Sequence, residues 1–199
     1  MIKNIIFDIG NVLTDFRWAE FLKDKGYDED MISRIADATV LSKEWHEVDR
    51  GILSQEELLC AFVKNDKEIE AEIRNAFADY HDLVTPRDYA MDWIKDLKKR
   101  GYHLYYLSNF SKKAEAECKE ALAFIPYTEG GILSHYEKLI KPDAAIYELL
   151  LKRYGLDPFE SVFIDDTKVN IDAAEALGIR GLWFQDAKEG MALLEEILT

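Results

Sequence analysis

Four short apolar runs, each breaking off at residues able to do chemistry, constrain this chain more than any other feature. Ile5, Ile6 and Phe7 lead to Asp8; YYL leads to Ser108 and Asn109; VFI leads to Asp165 and Asp166; LIKPD sets Lys141 before Pro142. Apolar runs this short, bounded by polar residues, suit strands buried on both faces. Helical patterns separate them, and helices alternating with buried strands imply a parallel sheet with helices on both sides. The expected class is therefore α/β, a Rossmann-like sheet whose ligands meet the carboxyl ends of the strands. A carboxylate, a hydroxyl, a cation and an acidic pair at those ends are the parts that phosphoryl transfer beside a magnesium ion requires.

A chain of 199 residues, 48% hydrophobic and 32% charged, can bury a full core. Its formal net charge of -14 argues against a nucleic acid or an anionic membrane surface as partner, since either would be repelled at long range. Small anions can still be bound locally. Cys60 and Cys118 have no metal-ligand spacing and read as reduced structural thiols. The apolar start MIKNIIFDIGNVL is too short to span a membrane and is interrupted by Asp8, so a cytoplasmic protein is expected. Nothing in the sequence fixes an oligomeric state.

From about Phe16 to Tyr89 the pattern is helical throughout, with Ile52, Leu58, Leu59, Phe62 and Val63 at helical spacing and no strand signal. Ser54 with Glu57 three residues on forms a capping box. The expected organisation is a core domain of residues 1–15 and 88–199 with an inserted α-helical cap of residues 16–87. Beyond the insert, helices are expected over 87–100, 112–122, from Pro142 to Tyr154, and over 169–177.

FDIGNVLTD, LSN, KP and DD, in this order and each near a predicted strand end, resemble the four signature motifs of the haloacid dehalogenase superfamily. DIGNV together with the helical insertion further resembles a branch of sugar-phosphate phosphatases that includes glucose-1-phosphate phosphatases. The resemblance implies that Asp8 attacks phosphorus to form an aspartyl-phosphate. It implies a magnesium ion held by Asp8, the Gly10 carbonyl and Asp166, with Asp165 acting through water or a neighbour. Adjacent carboxylates repel, and a hard divalent cation removes that cost.

Lys141, at a helix entrance, would neutralise phosphate and nucleophile together, while Ser108 and Asn109 would bind the phosphoryl oxygens. Asn170 would orient the metal-binding acids. The implied substrate is a small phosphorylated metabolite.

One departure from the family pattern stands out. Most phosphatases of this superfamily carry a second Asp two residues after the nucleophile, as general acid and base; here that position is Gly10. A metal-bound water, a group of the cap such as His46, or an easily departing leaving group, as in a hexose 1-phosphate, would have to compensate. Trp18, Trp45, His46 and Arg50 are the cap residues suited to reading a sugar. Two other readings are a carbon-attacking haloacid dehalogenase, which also lacks the second Asp, and a phosphate-binding regulatory protein without turnover.

Overall fold

The computed structural model describes residues 1–199. Five parallel strands form one sheet: β1 (Asn4–Phe7), β4 (His103–Ser108), β5 (Gly130–Leu133), β6 (Ser161–Asp165) and β7 (Arg180–Trp183), in the spatial order β5-β4-β1-β6-β7. β1 lies at the centre, pairing Ile6 with Tyr105 on one side and with Phe163 on the other. Chain order runs outward from β1 through β4 to β5, then returns to β6 on the other flank. That reversal opens a crevice at the carboxyl end of β1, where Asp8 follows.

Strand alternation splits the apolar side chains between two faces. Ile5, Phe7, Val162 and Ile164 join one buried cluster, whereas Ile6, Tyr105, Leu107 and Phe163 join another. The second face is covered by α9 (Ala144–Tyr154) and α10 (Lys168–Glu175), which contribute Ile146, Tyr147, Leu150, Ile171 and Ala174. On the first lie α6 (Ala90–Lys99), through Trp93, Ile94 and Leu97, and α11 (Ala187–Leu198), through Leu194. The unbroken apolar character of β1 and β6 follows from this double cover.

Five helices precede α6: α1 (Trp18–Asp24), α2 (Glu29–Ala38), α3 (Trp45–Arg50), α4 (Gln55–Asn65) and α5 (Glu70–Ala76). Ser54 caps α4 in the expected box, taking a bond from Glu57 N while the Glu57 carboxylate accepts one from Ser54 N. The expectation of helix throughout this region fails at its edges. β2 (Thr14–Phe16) and β3 (Val84–Pro86) form an antiparallel ribbon through which the chain leaves and rejoins the sheet domain. Three-residue strands that pair only with each other are too short to show a period of two.

The ribbon also bears on the expected boundaries, because a cut between 15 and 16 divides β2. Moreover, Leu58, Phe62, Ile73 and Phe77 of the insert share one buried cluster with Phe7 and Ile164 of the sheet. Other element ends shift by a few residues: α6 starts at Ala90 and α9 at Ala144. The helix expected to run to Leu122 stops as α7 (Lys112–Glu117), followed by a 3₁₀ turn over Lys119–Leu122. Both cysteines are free, as expected, and Cys118 is buried with its thiol on the Tyr80 carbonyl. No helix is long and apolar enough to cross a membrane.

Candidate active site

Asp8 continues β1 by one residue, its N–H donating to the Ile164 carbonyl at 2.8 Å, so its side chain emerges where the sheet ends. The Ile9 N–H bonds Asp8 Oδ1 at 2.7 Å, and Lys141 Nζ stands 2.8 Å from the same oxygen. Lys141 also reaches Asp165 Oδ2 at 2.6 Å. All three residues are buried. Burial pushes the Asp8 carboxyl up to about 7 against the pull of Lys141, and Asp165 and Asp166 add to the rise. Burial alone would lower the Lys141 ammonium, but Asp165 and Asp8 reverse this and hold it above its ordinary value.

Asp8, Asp165 and Asp166 each place a carboxylate oxygen within 4.8 Å of the others. Three anionic oxygens this close, with one ammonium among them, leave excess negative charge, and an all-oxygen donor set fits a hard divalent cation. Asp165 is the more heavily engaged of the pair. Its oxygens accept from Lys141, from the Thr167 N–H at 2.8 Å, and from the Asn170 amide at 3.1 Å to each. Tyr147 fixes Asn170 in turn by donating its hydroxyl to the Asn170 carbonyl. Asp166 is held from the side by Asn11 Nδ2 at 2.9 Å. Asn11 takes a left-handed conformation, φ 55°, a region that Asn tolerates better than most residues.

The remaining expected residues fall into different groups. Ser108, at the end of β4, lines the cleft with Asp8 and Gly10. Asn109 lines the cleft beside Ser108, and its side chain also binds the backbone of the lysine loop. Its Nδ2 donates to the Lys141 carbonyl at 3.0 Å, and its Oδ1 accepts from the Lys141 N–H at 2.8 Å. The amide thus clamps the loop that carries the lysine, a use that strand-end position alone could not reveal. Gly10 faces the cleft, and a Cβ built there meets nothing within 4 Å.

The cleft encloses about 210 Å³, and its outer wall comes largely from the insert and ribbon: Phe16, Trp45, Tyr80, Leu83 and Val84. Helical phase decides what α3 contributes. Trp45 and Asp49, four residues apart, share the face lining the cleft. His46 and Arg50, one position further on, line a separate groove with Lys43, Glu47 and Pro142. His46, Arg50 and Trp18 do not line the cleft, and the groove of His46 and Arg50 reaches Lys141 from its other side.

Asp49 was not foreseen from the sequence, although its i, i+4 spacing from Trp45 was the available signal. Burial pushes its carboxyl up to about 7, opposed by Lys141 and reinforced by Asp8. The Tyr80 hydroxyl, buried at the cleft wall, has no hydrogen-bond partner.

A family model described as haloacid dehalogenase-like hydrolase matches residues 2–178. The D-ribitol-5-phosphate phosphatase of Bacteroides thetaiotaomicron is 29% identical over 197 residues, covering 89% of each chain. A sesquiterpene phosphatase of Aspergillus oryzae is 25% identical over 186 residues, covering 93% of this chain and 91% of its own. Among solved structures, a haloacid dehalogenase family enzyme from Bacteroides thetaiotaomicron in a magnesium complex superposes with a TM-score of 0.67 at 25% identity, covering 90% of this chain and 91% of that one. With the matched span taking in Asp8, Ser108, Lys141 and the Asp165–Asp166 pair, the chain belongs to the haloacid dehalogenase-like hydrolases.

Proposed function

We propose that this hydrolase is a magnesium-dependent phosphatase that cleaves a small phosphate monoester through an aspartyl-phosphate on Asp8. The observation that carries the reading is the cluster of three carboxylates within 4.8 Å of one another around the buried Lys141. Asp8, the Gly10 carbonyl and Asp166 are the groups suited to hold magnesium, which when bound neutralises carboxylate and phosphate charge together. Asp165 stays with Lys141 and Asn170 and fixes the cluster from below.

Within that frame the chain's own groups divide the work. Asp8 Oδ attacks phosphorus, and Lys141 offsets the charge of nucleophile and phosphoryl group, a task for which its double ion pair positions it. Ser108 offers its hydroxyl to a phosphoryl oxygen. Asn109 keeps Lys141 in place, and Asn170 aligns Asp165. The helices of residues 16–87 act as a cap, with Trp45, Phe16 and Tyr80 contacting the organic part of the substrate. Relatives that act on a sugar-alcohol phosphate and on a sesquiterpene support a small phosphorylated metabolite and leave a sugar phosphate as the finer reading.

A carbon-attacking dehalogenase needs no metal, so it would leave the crowding of Asp8, Asp165 and Asp166 as an uncompensated cost. Phosphate release from sugar phosphates, sugar-alcohol phosphates and acyl phosphates, with magnesium and with chelator, tests the assignment beside Asp8→Asn. Release that requires magnesium and disappears in the variant is expected. Turnover that persists in Asp8→Asn would place the nucleophile elsewhere.

A further inference from the structure

We propose that Asp49, carried into the cleft by α3, is the general acid and base of this enzyme, standing in for the carboxylate absent at Gly10. The inference rests on the aspartyl-phosphate reading above and adds to it the source of the proton.

Four observations converge on this side chain. Asp49 lines the same cavity as Asp8, Gly10 and Ser108. No hydrogen bond or ion pair engages its carboxyl in the folded chain, although its charged neighbours include Lys141 and Asp8, with the Tyr80 hydroxyl nearby. Half-buried polar groups without a partner are costly unless something else completes them, and the group that enters this cleft is substrate. The space beside Gly10, where the usual acid would stand, is open to a leaving oxygen or a water.

The position of Asp49 is also fixed by the sheet domain. Ser134 Oγ donates to the Asp49 carbonyl at 2.5 Å, and Lys138 Nζ donates to the Gly51 carbonyl at 2.5 Å. Gly51 closes α3 at φ 63°, so near α8 (Ser134–Glu137) that a Cβ there would lie 2.8 Å from His135 Cβ. A group used for proton transfer must be held in place, and these bonds brace the end of α3 against the domain that bears Asp8. A carboxyl raised by burial also keeps its proton near neutral pH.

The steps balance. As the Asp8 oxygen bonds phosphorus and the ester P–O bond breaks, the Asp49 proton passes to the departing oxygen, giving the alcohol. The Asp49 carboxylate then takes a proton from water as that water's oxygen bonds phosphorus and the bond to Asp8 breaks. Phosphate leaves and Asp49 is again protonated. With a proton donor in the cleft, the easily departing leaving group of a hexose 1-phosphate is no longer required.

The test compares wild type, Asp49→Asn and Asp49→Glu on ribitol 5-phosphate and on 4-nitrophenyl phosphate, whose phenolate departs without a proton. Asp49→Asn is expected to lose about 100-fold to 10,000-fold on the alkyl ester. On the aryl ester it should release one nitrophenolate per active site and then stall, with acid-stable phosphoprotein trapped on Asp8. Asp49→Glu, which keeps an acid, should recover both steps above the level of Asn. Equal losses on the two esters with no burst, or no loss at all, would overturn the proposal and leave Asp49 a binding or structural residue. Where Asp49→Asn does not fold, Asp49→Ser read by the same burst assay decides the question. A wild type with magnesium-independent or Asp8-independent turnover would fail the parent reading, a result separable from an active wild type with an undiminished Asp49→Asn.

Discussion

Ionising the Asp8 carboxyl in the folded chain carries an energetic cost, and that cost can be measured without any substrate. Its rise from 3.8 to about 7 corresponds to about 4 kcal/mol between the folded and unfolded carboxyl. The sign follows from proton counts. Between these values the folded chain holds a proton that the unfolded chain has released, so the contribution of Asp8 to stability is fully present below about pH 4. It declines as pH rises and is lost above about pH 7.

Asp8→Asn removes this titration while preserving shape. It also leaves no orphaned charge, because Lys141 keeps Asp165 at 2.6 Å. In metal-free protein the variant should therefore match wild type near pH 4 and exceed it by up to about 4 kcal/mol at pH 8. At about 2–4 °C per kcal/mol for a chain of this size, the ceiling on the melting shift is roughly 8–16 °C. Asp49, also raised to about 7 and in part by Asp8, titrates in both proteins, and losing the Asp8 charge lowers it in the variant, which acts in the same direction at pH 8. Magnesium should reverse the order at pH 8, since it binds the folded wild type with one more carboxylate than the variant offers. Thermal melts of both proteins at pH 4 and pH 8, with chelator and with magnesium, give the four differences needed. An Asp8→Asn protein that melts at or below wild type at pH 8 in chelator would refute the reasoning.

Lys141→Met leaves Asp8 and Asp165 buried without a counter-charge, and urea unfolding should show a loss of about 3–5 kcal/mol along with abolished phosphate release. Gly51→Ala meets both a left-handed φ of 63° and the His135 Cβ at 2.8 Å, so a loss of about 1–3 kcal/mol is expected, with turnover reduced as α3 shifts. Gly10→Asp adds a side chain where a Cβ meets nothing within 4 Å, so it should leave the melting temperature within a few degrees of wild type. Combined with Asp49→Asn it should restore hydrolysis of the trapped phosphoprotein, read by chase with unlabelled substrate.

The sheet was legible in the sequence because buried parallel strands are nearly pure apolar runs, and β1 and β6 announce both their type and their chemical ends. Asp8, Asp165 and Asp166 were legible for the same reason, since strand termini bring them to one crevice; Lys141 reaches it instead from the turn before α9, eight residues past the end of β5, so its run LIKPD is not the strand it resembled. What escaped was whatever depended on pairing or phase. The β2–β3 ribbon has too few residues to show alternation, and the clamp that the Asn109 amide forms on the lysine loop depends on a loop that only the fold brings beside it. On α3 the aromatic and basic residues drew notice, yet the cleft receives Trp45 and Asp49 while His46 and Arg50 face another groove. A single step of helical phase separates His46 and Arg50 from Trp45, which was expected at the cleft, and from Asp49, which was not.

The single apolar body that joins Phe62 and Phe77 of the insert to Phe7 and Ile164 of the sheet leaves the molecule no internal seam. Heat or denaturant would have to dismantle helices and strands in one event. Deleting residues 16–87 would strip the cover from Ile9, Val12 and Leu13 and yield a sticky, unfolded remnant in place of a smaller enzyme. Evolution of new specificity in such a chain is confined to the few side chains of the cleft wall, because any deeper rebuilding of the insert also loosens the platform beneath the nucleophile.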